Sequence, residues 1–270
     1  MPDKTAGILP VSSHGKSPAE VARFAAREAG KILLDRLHKR NGVHIKGRRN
    51  IVTEADLAAE KCILEIIRKE FPQHGILAEE HGADGSQADY IWVIDPLDGT
   101  NNYFLGIPYF CVNIALSKKN EVVLGVTYDP VRDELFFAQR GKGASLNNRA
   151  ISVSGVATLH ETVVGVDLGY RPERSAEILN TMSKLWPQIY CMRLIGSACL
   201  GLAYVACGRF SLYLHRYLYP WDTASGLLLI NEAGGRVQNW SGRAATLKDR
   251  QIMAGNTQVL GEFKRWLKCR

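Results

Sequence analysis

Apolar residues recur at helical spacing early in the chain and at strand spacing in its middle. Val21, Phe24, Ala25, Ala29, Ile32, Leu33 and Leu37 predict a helix that ends by Gly42. It opens at Ser17-Pro18-Ala19-Glu20, where Ser17 can cap, Pro18 suits the first helical position and Glu20 completes a capping box. A second helix is predicted from about Thr53 to Phe71, with Leu57, Ile63, Leu64 and Ile67 apolar and Pro72 as its stop. The period then changes. Gly75-Ile76-Leu77-Ala78 and Tyr90-Ile91-Trp92-Val93-Ile94 are short apolar runs bounded by turn residues and predict strands. Further strands are predicted at 112–116, 122–128 and 135–138, with turns at Gly141-Lys142-Gly143 and Asn147-Asn148. Beyond residue 160, strands at 163–166, 190–194 and 212–214 alternate with helices. The helices fall near 172–185, 197–207, from Asp222 to Gly234-Gly235, and about 258–267. Two antiparallel-rich sheets layered with helix pairs fit this order better than a regular βαβ alternation.

Residues 1–16 mix Pro, Ser, Gly and Lys without a period and are expected to form a disordered tail. The 270 residues allow one two-layered unit or two tightly joined lobes, and no linker rich in Pro or Ser divides them. With 46% hydrophobic and 23% charged residues, wholesale disorder and collagen-like repeats are excluded. No run approaches the ~18 apolar residues of a membrane helix, and the N-terminus lacks the apolar core of a secretory signal. The expectation is a cytoplasmic protein with no membrane partner.

Charge narrows the partners. Lys and Arg number 34 against 27 Asp and Glu, a net +7 that favours phosphorylated small molecules or nucleic acid. The charge is dispersed, however, with its densest patches at Lys46-Gly47-Arg48-Arg49 and the C-terminal Lys264-Arg265-Trp266-Leu267-Lys268-Cys269-Arg270. Solvated surface explains both patches equally simply. The six cysteines form no Cys-x-x-Cys pair and the seven histidines no His-x-x-x-His pair, so neither zinc nor disulfides are expected.

Three acidic clusters each lie where an element ends. Glu79-Glu80 follows the strand at 75–78, and alternation allows at most one of the two to face a given site. In Asp95-Pro96-Leu97-Asp98-Gly99-Thr100, Pro96 is expected to stop the strand and two carboxylates to converge in the turn that follows. Asp222, in Pro220-Trp221-Asp222-Thr223, opens a helix, and Asp56 on the second helix is a fourth contributor. Each cluster alone also reads as a turn, an N-cap or plain surface. Together they are oxygen donors suited to Mg²⁺, because converging carboxylates repel one another unless cations neutralise them. Metal-assisted phosphoryl hydrolysis uses such a site. Thr100 is placed to orient water, and Gly99 lets backbone N–H groups approach a phosphate at a helix N-terminus.

Two long segments resemble the signatures of the inositol monophosphatase family, the Mg²⁺-dependent, lithium-sensitive phosphatases. One is Trp92-Val93-Ile94-Asp95-Pro96-Leu97-Asp98-Gly99-Thr100-Asn101-Asn102-Tyr103. The other is Pro220-Trp221-Asp222-Thr223-Ala224-Ser225-Gly226 with Glu232-Ala233-Gly234-Gly235. The resemblance covers about residues 17–268. It implies an α+β fold, a layered αβαβα sandwich, as one two-lobed domain over 17–270 with a metal-binding lobe at about 17–150 and a second at about 151–270. Carried over, the metal ligands fall on Glu79, Asp95, the Leu97 carbonyl, Asp98 and Asp222, for two or three Mg²⁺ per site. Asp56 matches the carboxylate that helps Thr100 activate water, and Gly196-Ser197-Ala198 matches the stretch lining the substrate pocket. Glu79, Leu97, Asp98, Gly99, Thr100 and Asp222 border the same pocket. The resemblance further implies a homodimer and a small phosphorylated polyol or sugar as the partner, rather than nucleic acid.

Two departures bear on selectivity. Inositol-selective relatives commonly carry a glutamate where this chain has His215, followed here by Arg216, and Thr223-Ala224-Ser225 stands where a more apolar trio is common. Inositol monophosphate leads the substrates. Fructose 1,6-bisphosphate, histidinol phosphate and a 3′-phosphonucleotide are alternatives on the same scaffold, and a nucleic-acid-associated regulatory binding protein is the alternative of another class. A haloacid-dehalogenase mechanism needs aspartates two residues apart, whereas Asp95 and Asp98 are three apart. A phosphate-binding P-loop and a Gly-x-Ser-x-Gly elbow are both missing from the sequence.

Overall fold

The computed structural model describes residues 9–37, 39, 42–47, 50–85 and 87–269. Its N-terminal half begins with α1 (Pro18–Arg36), a hairpin of β1 (Val43–Gly47) and β2 (Asn50–Thr53), and α2 (Glu54–Glu70). The capping box foreseen at Ser17 and Glu20 is present in full, and Thr53 and Asp56 form a second one at α2. Next come β3 (Gly75–Ala78), β4 (Gly82–Asp84), β5 (Tyr90–Asp98), the short helix α3 (Thr100–Phe104), β6 (Cys111–Lys118), β7 (Glu121–Asp129), β8 (Glu134–Gln139), β9 (Ala144–Leu146) and β10 (Arg149–Ala150). These strands make one eight-stranded sheet in the order β10-β9-β8-β7-β6-β5-β3-β4, antiparallel except for β3 against β5. Asn147 and Asn148, both at positive φ, close the β9–β10 hairpin as a tight two-residue turn.

The C-terminal half adds β11 (Val163–Val166), α4 (Pro172–Leu185), β12 (Cys191–Arg193), α5 (Ala198–Ala206), β13 (Leu212–His215), α6 (Pro220–Glu232), β14 (Arg236–Asn239), β15 (Ile252–Gly255) and α7 (Thr257–Lys268). Its five-stranded sheet runs β12-β11-β13-β15-β14, with parallel pairs at β11.

Three apolar clusters define the layering. The first joins α1 and α2 to one face of the large sheet through Ala25, Ala29, Ile63, Ile67, Trp92 and Ile114. The second fills the space between the two sheets with α5 and α6 through Leu200, Leu202, Leu229 and Ile230. The third sets Ile178 and Met182 of α4, and Val259 and Phe263 of α7, on the outer face of the small sheet. The result is an α+β, five-layer αβαβα sandwich. Burying Ile63 or Ile67 completely contributes about 1.5–3 kcal/mol each relative to exposure.

Three expectations need correction. Pro96 does not stop its strand: β5 continues to Asp98 through an irregularity, discussed below. Phe24, read as part of the apolar stripe of α1, is 54% exposed, because the buried face is the one carrying Val21, Ala22, Ala25 and Ala29. Residues 9–16 of the expected tail are tied down. The Ser12 hydroxyl (2.8 Å) and the Lys16 ammonium (2.9 Å) bond the Glu70 carboxylate at the end of α2. Lys16, with Ser12, holds that carboxyl down at about 2. Residues 1–8 of the tail, Arg48 and Arg49 of the basic patch, and Arg270 lie outside the described residues. No helix among the described residues is long and apolar enough to cross a membrane.

Candidate active site

The two carboxylates of the central motif meet because β5 carries an extra residue. Asp95 pairs with Asn113, but Asp98 pairs with Cys111, so three steps on β5 match two on β6. In a regular strand, residues three apart point to opposite faces; the bulge turns Asp95 and Asp98 to the same side. Pro96 suits this place, since it has no N–H to give the ladder. The carboxylate of Asp95 accepts the Leu97 N–H (3.1 Å), which fixes the bulge from within.

The third carboxylate arrives from another layer. Asp222 is the third residue of α6, and its Oδ2 accepts the Tyr219 N–H (2.6 Å) at the helix start. One carboxylate oxygen each from Asp95, Asp98 and Asp222 lies within 4.8 Å of the other two. Asp95 is buried and Asp222 half-buried, and none of the three forms an ion pair among the described residues. Burial, followed by the charge of the neighbouring carboxylates, pushes Asp95 and Asp222 well above the usual carboxylate range. Asp98 is also raised by burial, against the pull of its own hydrogen bonds. Glu79, just past β3, lines the same pocket and is pushed up to about 7 by burial, with Lys46 at 3.7 Å opposing. Glu80 turns away to pair with Lys46.

Thr100 sits at the mouth of α3. Its hydroxyl is within bonding distance of the Leu97 carbonyl (3.0 Å) and Asp56 Oδ1 (3.1 Å). Asp56 is fixed from behind, because the N–H and hydroxyl of Thr53 both donate to its Oδ2 (2.9 and 2.6 Å). Burial raises this carboxyl to about 6. Between the carboxylates and Thr100, Gly99 adopts φ +91°, and a Cβ there would stand 2.8 Å from the Tyr109 carbonyl oxygen. Only glycine fits.

The far wall comes from the C-terminal half. Gly196 (φ +73°) and Ala198 line the pocket, whereas Ser197 does not. Instead, Ser197 caps α5 and donates its hydroxyl to Asp98, with the Cys199 N–H (2.8 Å) on the same oxygen. Two residues absent from the sequence expectation clamp this wall. Buried Asp167 accepts the N–H groups of Ile195 (3.0 Å) and Gly196 (2.6 Å) on one oxygen and the Tyr213 hydroxyl (2.9 Å) on the other. Asn102 donates its side-chain amide to the carbonyls of Ile195 (2.7 Å) and Tyr109 (2.8 Å). An aspartate ending an apolar strand, in Val163-Val164-Gly165-Val166-Asp167, was the available signal for the first. Nothing local marked the second.

His215 and Arg216 separate as strand alternation requires. His215 is buried and lines the pocket; its Nδ1 accepts the Tyr217 N–H (3.0 Å). Burial lowers its pKa to about 3, so the neutral ring carries its proton on Nε2 and is a donor. Arg216 points elsewhere, 3.2 Å from Glu177 and stacked 3.6 Å over the Trp240 ring. The polar helix opening is also explained. The Ser225 hydroxyl contacts Asn113 and Thr127 (2.7 Å to the latter), Thr127 donates to Asn113 (2.8 Å), and Asn113 donates to the Trp221 carbonyl (2.6 Å). This satisfied network ties α6, and so Asp222, to β6 and β7. Cys111 and Cys199, isolated in sequence, meet beside Asp98. The whole site is a cavity of about 280 Å³ lined by these carboxylates and by Tyr170, Tyr217, Tyr219 and Trp221.

Residues 16–266 match the model of the inositol monophosphatase family. The Nus factor SuhB of Pseudomonas aeruginosa is 40% identical over 246 residues, covering 88% of this chain and 91% of that protein. Its namesake in Escherichia coli K12 is 40% identical over 244 residues, covering 89% and 91%. Among solved structures, the extragenic suppressor protein suhB from Bartonella henselae superposes with a TM-score of 0.89 at 36% identity, over 92% of this chain and 97% of that one. An inositol monophosphatase from Anabaena gives a TM-score of 0.84 at 38% identity, over 93% and 95%.

Proposed function

This chain belongs to the inositol monophosphatase family, and from that premise we propose that it is a Mg²⁺-dependent phosphomonoesterase acting on a small polyol or sugar phosphate, inositol monophosphate first. One observation carries the reading: oxygens of Asp95, Asp98 and Asp222 are held within 4.8 Å of one another with no ion-pair partner among the described residues. Fixed, partly buried negative charge of that density calls for cations, and an all-oxygen donor set favours Mg²⁺ over softer ions. Glu79, Asp95, the Leu97 carbonyl, Asp98 and Asp222 would hold two or three Mg²⁺. When bound, Mg²⁺ supplies Lewis acidity toward the phosphoryl oxygens and neutralises the carboxylates.

The chain's own groups do the rest. The single hydroxyl proton of Thr100 is engaged by Asp56 and Leu97, which leaves its oxygen free to accept a hydrogen bond from the attacking water and orient it. Asp56, immobilised by Thr53, keeps that hydroxyl in place. The turn at Gly99 and the wall of Gly196 and Ala198 border the phosphate and its ring, and neutral His215 offers a donor to the substrate. Water attacks directly, so no covalent phosphoenzyme forms. A homodimer in the cytoplasm completes the reading drawn from the family resemblance.

The test is phosphate release from inositol 1-phosphate, fructose 1,6-bisphosphate, histidinol phosphate and a 3′-phosphonucleotide, with Mg²⁺ and with chelator. Release requires Mg²⁺, and Asp95→Asn or Asp222→Asn lowers turnover about a thousandfold. Near wild-type turnover in either variant, or a phosphoaspartate trapped at Asp95 or Asp98, sinks the mechanism. A second reading has its own support, since relatives at 40% identity are named Nus factors and the chain carries +7. Salt-dependent nucleic-acid binding together with no Mg²⁺-dependent phosphate release would favour it.

A further inference from the structure

Next to Asp222, the tyrosines of the pocket wall have two arginine neighbours. Tyr217 and Tyr219 line the pocket with their rings 5.6 Å apart, and Tyr219 stacks on Trp221 at 4.9 Å with planes 3° apart. Two guanidinium groups stand over these rings. Arg171, between β11 and α4, lies 5.2 Å from the Tyr217 ring centre; Arg250, just before β15, lies 5.8 Å from the same ring and 4.4 Å from that of Tyr219. Their polar contacts are with neutral oxygens: Arg171 reaches the Tyr217 hydroxyl at 3.5 Å and Arg250 the Leu218 carbonyl at 3.2 Å. Arg132, Arg174, Arg209 and Arg216 each have a carboxylate within ion-pair distance, whereas Arg23, Arg193, Arg236 and Arg243, like the two arginines here, bond only neutral oxygens. Among the described residues, Arg171 and Arg250 have no carboxylate at that distance.

A guanidinium beside an aromatic ring can still grip a phosphate or carboxylate through paired hydrogen bonds from its N–H groups. Two such groups beside one ring of the pocket wall form a cationic pair. We propose that Arg171 and Arg250, positioned on Tyr217 and Tyr219, form an anion subsite that selects phosphomonoesters bearing a second phosphate or carboxylate at the end remote from the scissile group. The proposal rests on the phosphomonoesterase reading of this pocket. Arg216, the neighbour of His215 in sequence, is turned away onto Glu177 and Trp240.

The test uses non-hydrolysable probes that differ only at the remote end: propylphosphonate, 3-phosphonopropanoate and propane-1,3-diphosphonate. Binding to the full chain in Mg²⁺ is measured by calorimetry. Of the two probes with an anionic remote end, at least one binds about tenfold or more tightly than propylphosphonate, and which one does so tells a carboxylate from a second phosphate. The double variant Arg171→Gln, Arg250→Gln abolishes that preference, and Arg171→Lys with Arg250→Lys restores part of it. Unfolding temperature checks that the variants fold. Equal affinity for the three probes in the wild type, no binding of any of them, or a preference that survives the double Gln variant overturns the proposal. Phosphate release assayed in parallel separates the two ideas: release without remote-end preference defeats the subsite alone, and lack of release defeats the phosphatase reading while the binding contrast still decides the subsite.

Discussion

Thr100 offers the clearest residue-level test, because its hydroxyl bonds only to groups of the site itself, the Leu97 carbonyl and Asp56. Thr100→Ala is expected to lower kcat by about a hundredfold or more while changing KM little, since orienting water matters in the transition state and not in substrate binding. A loss confined to KM would remove Thr100 from catalysis. His215 governs selectivity at the same scale. As a neutral Nε2–H donor it suits an acceptor on the substrate, whereas a glutamate would accept from sugar hydroxyls. His215→Glu therefore raises the kcat/KM ratio of inositol 1-phosphate to fructose 1,6-bisphosphate. Arg216→Ala, on a side chain held by Glu177, leaves that ratio unchanged. Equal ratios in all three proteins would make His215 a structural residue only.

At the level of elements, the site is a junction between a bulged strand, a helix start and a left-handed turn. β5 brings Asp95 and Asp98 to one side, α6 supplies Asp222, and Gly99 reverses the chain between β5 and α3. Gly99→Ala tests the junction. Its φ of +91° costs a side chain roughly 1–2 kcal/mol, and the 2.8 Å approach to the Tyr109 oxygen forces a further shift. The expected outcome is a fall of several degrees in unfolding temperature, with activity lost beyond what the fall explains. An unchanged melt would mean that the turn relaxes without strain. The clamp of Asp167 and Asn102 on residues 195–196 belongs to this scale too, because it couples the wall of one sheet to the motif of the other.

For the whole molecule, the concentration of buried carboxylates sets a pH dependence. Asp56 is raised to about 6, and Glu79 and Asp167 to about 7, in each case chiefly by burial. Carboxyls raised in the folded state bind more protons there than in the unfolded chain, so their contribution is full below about pH 4 and is lost as pH rises toward 7. Glu70, held down at about 2, acts oppositely and loses its contribution only in stronger acid. The metal-free protein is therefore expected to melt at progressively lower temperature between about pH 4.5 and 7.5, and Mg²⁺ to raise the melting temperature more at pH 7.5 than at 5.5. Differential scanning calorimetry in chelator and in Mg²⁺ checks this. Equal Mg²⁺ stabilisation at both pH values would mean that Glu79 and the Asp95, Asp98 and Asp222 cluster do not carry the cations.

Sequence periodicity determined the long helices and most strands of the large sheet, and residue type the cap at Ser17, because these features depend on neighbours within a few residues. It also marked Asp56, Glu79, Asp95, Asp98, Thr100 and Asp222, since dense carboxylates at element ends are conspicuous in any fold. Short elements such as β1, β4 and β14 escaped, for two to five residues carry too little periodic signal to stand apart from loops. Tertiary structure alone decided that Pro96 bends β5 without ending it, that His215 faces inward and Arg216 outward, and that Ser197 supports Asp98 from behind. It alone brought Cys111 to Cys199, Asp167 to Gly196, and Arg171 and Arg250 to one tyrosine. The physical reason is range. Hydrophobic period and capping act along the chain, whereas register, bulges and the meeting of side chains from different layers are fixed only when both sheets close on α5 and α6.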